Sequence, residues 1–244
     1  MTSSTQTIAL ISGANTGIGL AVASQLAKVH GYHVIIGSRQ ASAGASAAQL
    51  IIEEGYSASS VQLDLNSDDS IAAAVKYIDT TFGHLDVLIN NAGTLLDLDK
   101  SLSTRDLFTQ TLATNVTGAA CLTEACEPLL RKSDFARLVF VSSRMGSLKE
   151  TLNKNTMYYA QDYKAYDASK AALNMLALNW VRILDGTGAL VNVACPGLVQ
   201  TKLTGFTPYG ATTEIGATSI VQLATAERGS EVGTFSDKDE VIPW

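Results

Sequence analysis

Tyr166 and Lys170 stand four residues apart in YDASK, which runs on into AALNMLALNWVRIL, a segment without Pro or Gly and rich in Ala and Leu. Such a segment predicts a helix beginning near Lys164. On a helix, residues i and i+4 share a face, so the ammonium lies beside the phenol. A phenol with a pKa near ~10 exchanges protons poorly at neutral pH, and a fixed cation beside it stabilises the phenolate and lowers that value. The pair is a candidate acid/base device. The same spacing on a solvated helix face would do no chemistry, so the elements around it decide.

Those elements alternate strand and helix. Residues 7–12 (TIALIS) form a short apolar run with the character of a buried parallel strand, and it empties into Gly13-Ala-Asn15-Thr16-Gly17-Ile18-Gly19 before the helix LAVASQLAKVH. Strand, glycine turn and helix make the context of a dinucleotide site. Gly13 permits the tight turn, Gly17 lets the backbone approach a pyrophosphate, and Gly19 lets the helix pack close, with the phosphates at the positive helix end. The next strand, residues 32–38, ends in Ser38 and Arg39 where an NAD enzyme usually carries an acid. A guanidinium and a hydroxyl suit a 2′-phosphate, which favours NADP(H), as NADPH, over NADH. A third strand, residues 60–65, delivers Asp64 and Leu65; Asp64 either accepts from the adenine amino group or caps the helix after Asn66.

A fourth strand, residues 85–90, runs into Asn90-Asn91-Ala92-Gly93, small and polar where ligands gather at the carboxyl ends of parallel strands. A single helix over 104–131 carries Asn115 midway, where an amide marks a kink or a water site. The fifth strand, residues 136–142, is followed by Ser143. The tyrosine helix, a sixth strand over 190–195, Pro196-Gly197-Leu198-Val199-Gln-Thr201, a helix over 213–226 and a short strand near 233–235 complete the chain. The expected architecture is α/β: a doubly wound Rossmann fold, a parallel sheet of about seven strands with helices on both faces, in one domain over 1–244.

Composition narrows the function. The 46% apolar content of the 244 residues supports a well-buried core, and a net charge of −6 without a basic cluster argues against nucleic acid or an anionic membrane as partner. Cys121, Cys126 and Cys195 are odd in number, lack metal-ligand spacing and read as free thiols of a reducing compartment. His30, His33 and His84 read as surface residues. The opening MTSSTQT lacks the basic-then-apolar pattern of a signal peptide, and no apolar run approaches the ~20 residues of a membrane span. A cytoplasmic protein without a metal is the expectation.

Taken in order, Ser12-Gly-x-x-x-Gly17-x-Gly19, Asn90-Asn-Ala-Gly93, Asn115, the serine after strand five, Tyr166-x-x-x-Lys170 and Pro196-Gly197 make the chain resemble the short-chain dehydrogenase/reductase family from residue 7 onward. The acid-free second strand, the Ser-Gly-Ala-Asn opening and the ending FSDKDEVIPW look like its carbonyl-reductase branch, which reduces ketones and aldehydes with NADPH. The resemblance implies that Tyr166 donates a proton to the substrate carbonyl as hydride arrives. It implies that Lys170 lowers the tyrosine pKa and bonds the nicotinamide ribose, that Ser143 rather than Ser142 orients the carbonyl, and that Asn115 holds a water linking Lys170 to solvent. Thr201 would contact the nicotinamide carboxamide. Cofactor contacts would come from the glycine loop (Gly13, Asn15, Thr16, Gly17, Ile18, Gly19), Ser38, Arg39, Asp64, Leu65, Asn91, Ala92, Gly93, Pro196, Gly197 and Val199.

The chain departs from the family in three places: a longer interval between Ser143 and Tyr166, Thr16 where NADPH-preferring relatives often have a basic residue, and Ala43 where some carry a second arginine. Arg39 would then bear most of the phosphate recognition. Leu95 and Leu96, Met145 and Leu198 follow strands four, five and six and would border the substrate pocket, with Tyr158 or Tyr159 from the longer interval and Phe206 or Tyr209 from the loop over 201–212. Such a pocket suits hydrophobic or aryl carbonyl compounds. The tyrosine helix, with Leu173, Met175, Leu176, Leu178, Trp180, Val181 and Ile183, is apolar on more than one face, and in the family such helices form a two-fold subunit interface, so a homodimer or homotetramer is expected. A dedicated secondary-metabolic alcohol dehydrogenase/reductase and a non-catalytic NADP(H)-binding regulator are the alternative functions.

Overall fold

The computed structural model describes residues 6–244; the first five residues of the MTSSTQT stretch, read above for a targeting signal, lie outside the described residues. Seven strands, β1 (Ile8–Ser12), β2 (His33–Ser38), β3 (Ala58–Gln62), β4 (Val87–Asn90), β5 (Arg137–Val141), β6 (Leu190–Ala194) and β7 (Phe235–Ser236), form one sheet in the order β3-β2-β1-β4-β5-β6-β7. Every pairing is parallel. Strands β1, β4 and β6 are buried at every residue, as the continuous apolar runs of a sheet covered on both faces require.

One face is covered by α3 (Asp68–Phe82), α5 (Ala119–Leu130) and α6 (Lys164–Ile183), whose Ile78, Leu122, Leu173 and Trp180 enter a common core. The other is covered by α1 (Gly17–His30), α2 (Ala41–Glu53) and α7 (Thr213–Ala224) through Val22, Leu26, Ile51 and Ile220. Each large aliphatic side chain so buried contributes about 1.5–3 kcal/mol. Strand order reverses at β1, whose neighbours are β2 and β4, and the carboxyl ends of β1 and β4 therefore diverge into a crevice.

Several sequence expectations need correction. The 104–131 helix is three pieces: α4 (Thr104–Leu112), a π-helical segment (Ala113–Gly118) and α5. A Cβ on Gly118 would lie 2.6 Å from Leu65 Cβ, so the π segment lets the chain press its backbone onto Leu65. Strand β3 begins and ends earlier than expected, because Leu63 and Leu65 turn into the core beyond it. His33 is not a surface residue: it is half-buried, its ring nitrogens lie 2.7 Å from Ser57 Oγ and 2.9 Å from Ser59 Oγ, and burial lowers its pKa.

Cys126 and Cys195 are buried and Cys121 is partly so, all as free thiols. On α6, Leu178 and Val181 lie beneath Gly233, which leaves Met175 and Ile183 as its exposed large apolar side chains. Among the described residues no helix is long and apolar enough to cross a membrane, and no group of three His, Cys, Asp or Glu side chains is placed to hold a metal ion.

Candidate active site

The crevice is built first from backbone. Gly13 has φ +66°, and a Cβ there would meet Ala92 Cα at 3.0 Å; a side chain is excluded by both the dihedral and the space. A Cβ on Gly19 would lie 2.6 Å from Asn91 Nδ2, so α1 abuts the loop after β4. A latch joins the two loops. Ser12 Oγ accepts from the amides of Asn91 and Ala92, each at 3.0 Å, while Asn91 Nδ2 donates to Ser12 O at 2.8 Å and Gly13 O at 3.2 Å.

At the start of α1, Thr16 is the N-cap but makes no side-chain cap bond, and no acid lies in the first turn. By contrast α3, α4 and α7 are capped by Ser67, Ser103 and Thr212. The uncapped amides and positive helix end at Gly17–Ile18–Gly19, over which the Thr201 methyl sits 3.5 Å from a Cβ built at Gly17, suit a pyrophosphate.

The second strand's end is less symmetrical than its sequence suggests. Ser38 is buried and its hydroxyl donates to Gln40 O at 2.9 Å, whereas Arg39 is exposed. Arg39 is the cation of this corner. Asp64 Oδ1 accepts from the Asn66 amide at 3.0 Å, while the cap of α3 is Ser67. The side chain of Leu65 belongs to the core.

Around α6 the proposed chemical groups converge. Tyr166 and Lys170 are both buried, with Lys170 Nζ 5.5 Å from the phenol ring centre and donating to Val141 O at 2.9 Å. Burial lowers the Lys170 pKa to about 8. The Tyr166 phenol is pushed above its ordinary value, by burial first and then by Cys195, with Ser143 pulling the other way. This departs in sign from the sequence expectation of a lowered phenol: dehydration at this depth outweighs what the chain's own groups give back. Ser143 starts a short 3₁₀ turn (Arg144–Gly146) and accepts from the Met145 amide at 3.2 Å. Asn115, on the π segment, accepts from Thr94 N–H at 2.7 Å and donates to Thr94 O at 2.8 Å and Ser169 Oγ at 2.9 Å. Its side chain ties the loop after β4 to α6.

Tyr166, Lys170 and Ser143 open on a cavity of about 430 Å³. Leu95, Met145, Tyr158, Leu198 and Tyr209 line it as expected, together with Ile18, Asn91, Pro196, Gly197, Val199 and Thr201. Leu96, Tyr159 and Phe206 do not: Tyr159 and Phe206 are solvent-exposed, Phe206 on a left-handed backbone (φ 54°). Leu98 and Met157 line the wall unanticipated.

A family model described as short chain dehydrogenase matches residues 7–209. The chain belongs to the short-chain dehydrogenase/reductase family. It is 35% identical over 248 residues to the short-chain dehydrogenase anuI of Penicillium roqueforti, covering 99% of this chain and 98% of that one. Among solved structures it is similar to salutaridine reductase from Papaver somniferum (25% identity, TM-score 0.79, 96% of this chain and 100% of that one) and to the menthone neomenthol reductase of Mentha piperita (27%, 0.78, 97% and 100%). The fold is that of an NAD(P)-binding oxidoreductase.

In this short-chain dehydrogenase/reductase the serine loop is fastened by partners that sequence spacing does not reveal. Arg144 pairs with Asp237 at 2.7 Å and Glu240 at 2.8 Å, Ser147 Oγ donates to Pro243 O at 2.5 Å, and the Lys149 amide donates to Trp244 O at 3.0 Å. The charged ending DKDEVIPW thus clamps the loop that carries Ser143.

Asp167, beside Tyr166, has an Oδ1 buried without a hydrogen-bond partner in the protein. Burial, then the charges of Asp97 and Asp162, raise its carboxyl from 3.8 to about 7. A folded value above the unfolded one means that its stabilising contribution is full below 3.8 and is lost as pH rises to about 7. Asp167→Asn should therefore stabilise the fold at pH 8 by about 1–3 kcal/mol, allowing for solvent screening, and change it little at pH 4. Urea titrations at the two pH values measure this, and an equal effect at both would refute it.

Proposed function

We propose that this chain reduces ketones and aldehydes to alcohols with NADPH, acting on hydrophobic or aryl carbonyl compounds. The observation that carries the substrate class is the charge of the cavity: among the described residues Lys170 is the one charged side chain lining it, and that ammonium is bonded to Val141 O. A free carboxylate would find no guanidinium clamp there, since Arg144 is engaged by Asp237 and Glu240. Leucines, methionines and tyrosines make up much of the rest.

A nicotinamide cofactor, when bound, would supply the hydride. Ser143 donates a hydrogen bond to the carbonyl oxygen and orients it. Tyr166, whose raised pKa keeps it protonated at neutral pH, passes its phenolic proton to that oxygen as negative charge develops. Lys170 lies beside the phenolate that remains and stabilises it. Arg39 supplies the cation for the 2′-phosphate.

An aryl keto ester, its free keto acid and a polyhydroxy aldehyde, each assayed with NADPH and NADH, test this reading. The keto ester with NADPH should show the highest kcat/KM. Preference for the acid or the polyol would overturn the substrate class, and no turnover with any of them would overturn the reaction.

A further inference from the structure

Among the described residues two charged side chains are buried, Lys170 and Asp97. Asp97 lies four residues past Gly93, in the segment after β4. A buried carboxylate persists where hydrogen bonds compensate its lost hydration. Here Oδ1 accepts from the Ala165 amide at 2.9 Å and Oδ2 from the Tyr166 amide at 3.2 Å. These are first-turn amides of α6, a helix whose own N-cap, Tyr163, makes no side-chain cap bond. Asp97 thus caps α6 from 68 residues away, with a negative charge at the positive helix end.

The carbonyl side of Tyr166 is held as well. Ser169 Oγ donates to Tyr166 O at 2.7 Å and accepts from Asn115 Nδ2, and the Asn115 side chain is bonded to both backbone groups of Thr94. The main chain of Tyr166 is therefore tied at both ends to residues 94–97, and Leu95 within that stretch and Leu98 after it form part of the cavity wall.

We propose that Asp97 is a positioning residue for the reaction: by bonding the Tyr166 amide it fixes the phenol relative to the wall against which the substrate carbonyl is held. The inference rests on Tyr166 being the proton donor. It predicts a loss confined to the chemical step, since misplacing a reacting group by about 1 Å costs roughly a hundredfold in rate.

Asp97→Asn keeps the size but sets an NH₂ against an N–H, and Asp97→Ala removes both acceptors. With NADPH and an aryl keto ester, kcat should fall about ten- to a hundredfold in each, while NADPH affinity, read by fluorescence titration, stays within about twofold. On a Tyr166→Phe background, Asp97→Asn should cost no further turnover, because the group it positions is gone. A kcat within twofold of wild type overturns the proposal, as does a parallel loss of NADPH affinity or an undiminished effect on the Phe background.

Should the variants not fold, amide hydrogen exchange on the wild-type chain decides: Ala165 and Tyr166 amides should exchange slowly, and rates typical of uncapped first-turn amides overturn the contact. A wild-type chain that binds NADPH and shows this protection but reduces no carbonyl compound would overturn the proposed reaction while upholding the cap.

Discussion

Tyr166→Phe is expected to lower carbonyl reduction about a thousandfold while leaving cofactor affinity within about twofold. The substitution removes one oxygen from a buried ring whose other surroundings, the Lys170 ammonium and the Val141 carbonyl it bonds, remain in place. Among the phenols that line the cavity, Tyr166 has the Lys170 ammonium against its ring. Tyr158 lines the cavity too, but among the described residues no ammonium lies against its ring. Steady-state turnover at saturating substrate, with cofactor binding measured separately, resolves the two effects. Retention of more than a tenth of wild-type turnover would mean that another group is the acid.

Arg39→Asp should lower the ratio of kcat/KM with NADPH to that with NADH by about a hundredfold. About two charge-assisted hydrogen bonds to a 2′-phosphate are lost, at about 1.5 kcal/mol each for an exposed guanidinium, and a carboxylate that accepts from ribose hydroxyls takes their place. Arg39 is exposed and, among the described residues, is not paired with any carboxylate. Ser38 cannot compensate, because it is neutral and supplies no positive charge to replace the guanidinium. An unchanged ratio would place the phosphate contact elsewhere.

What was legible in the sequence followed from local chemistry. Buried parallel strands are continuous apolar runs, and the glycine loop and the Tyr166 helix carry their signals within a few residues, so β1, α1 and α6 lie close to where they were expected. The end of β3 was misplaced because an edge strand of Ala, Ser and Gln has weak periodicity, while Leu63 and Leu65, the apolar residues, serve the core after the strand has ended. Asn115 marks a kink or a water site in the sequence but does not reveal the π segment, because an inserted residue shifts helical phase without changing composition. The cap by Asp97 and the clamp of Arg144 on the chain's ending are not legible, because Asp97 lies 68 residues from Ala165 and Arg144 lies 93 and 96 residues from Asp237 and Glu240. For Asp97 a local clue existed. Tyr163 precedes α6 where a capping side chain is ordinarily found, and a helix without its own cap must find one elsewhere or leave amides unpaired.

The latch between Ser12 and Asn91 also bears on how the protein comes into being. Its two sides are 79 residues apart, so a ribosome exposes β1 and the glycine loop well before the segment that secures them exists. Closing so long a loop is entropically costly and slow, and the nascent amino-terminal half holds an incomplete nucleotide cradle until β4 docks beside β1. Nucleotide affinity is in that sense a certificate of finished folding. A cofactor that binds the completed crevice withdraws chains from the unfolded pool, and because the crevice joins both halves of the sheet, its protection extends to the whole domain rather than to the strand that touches it.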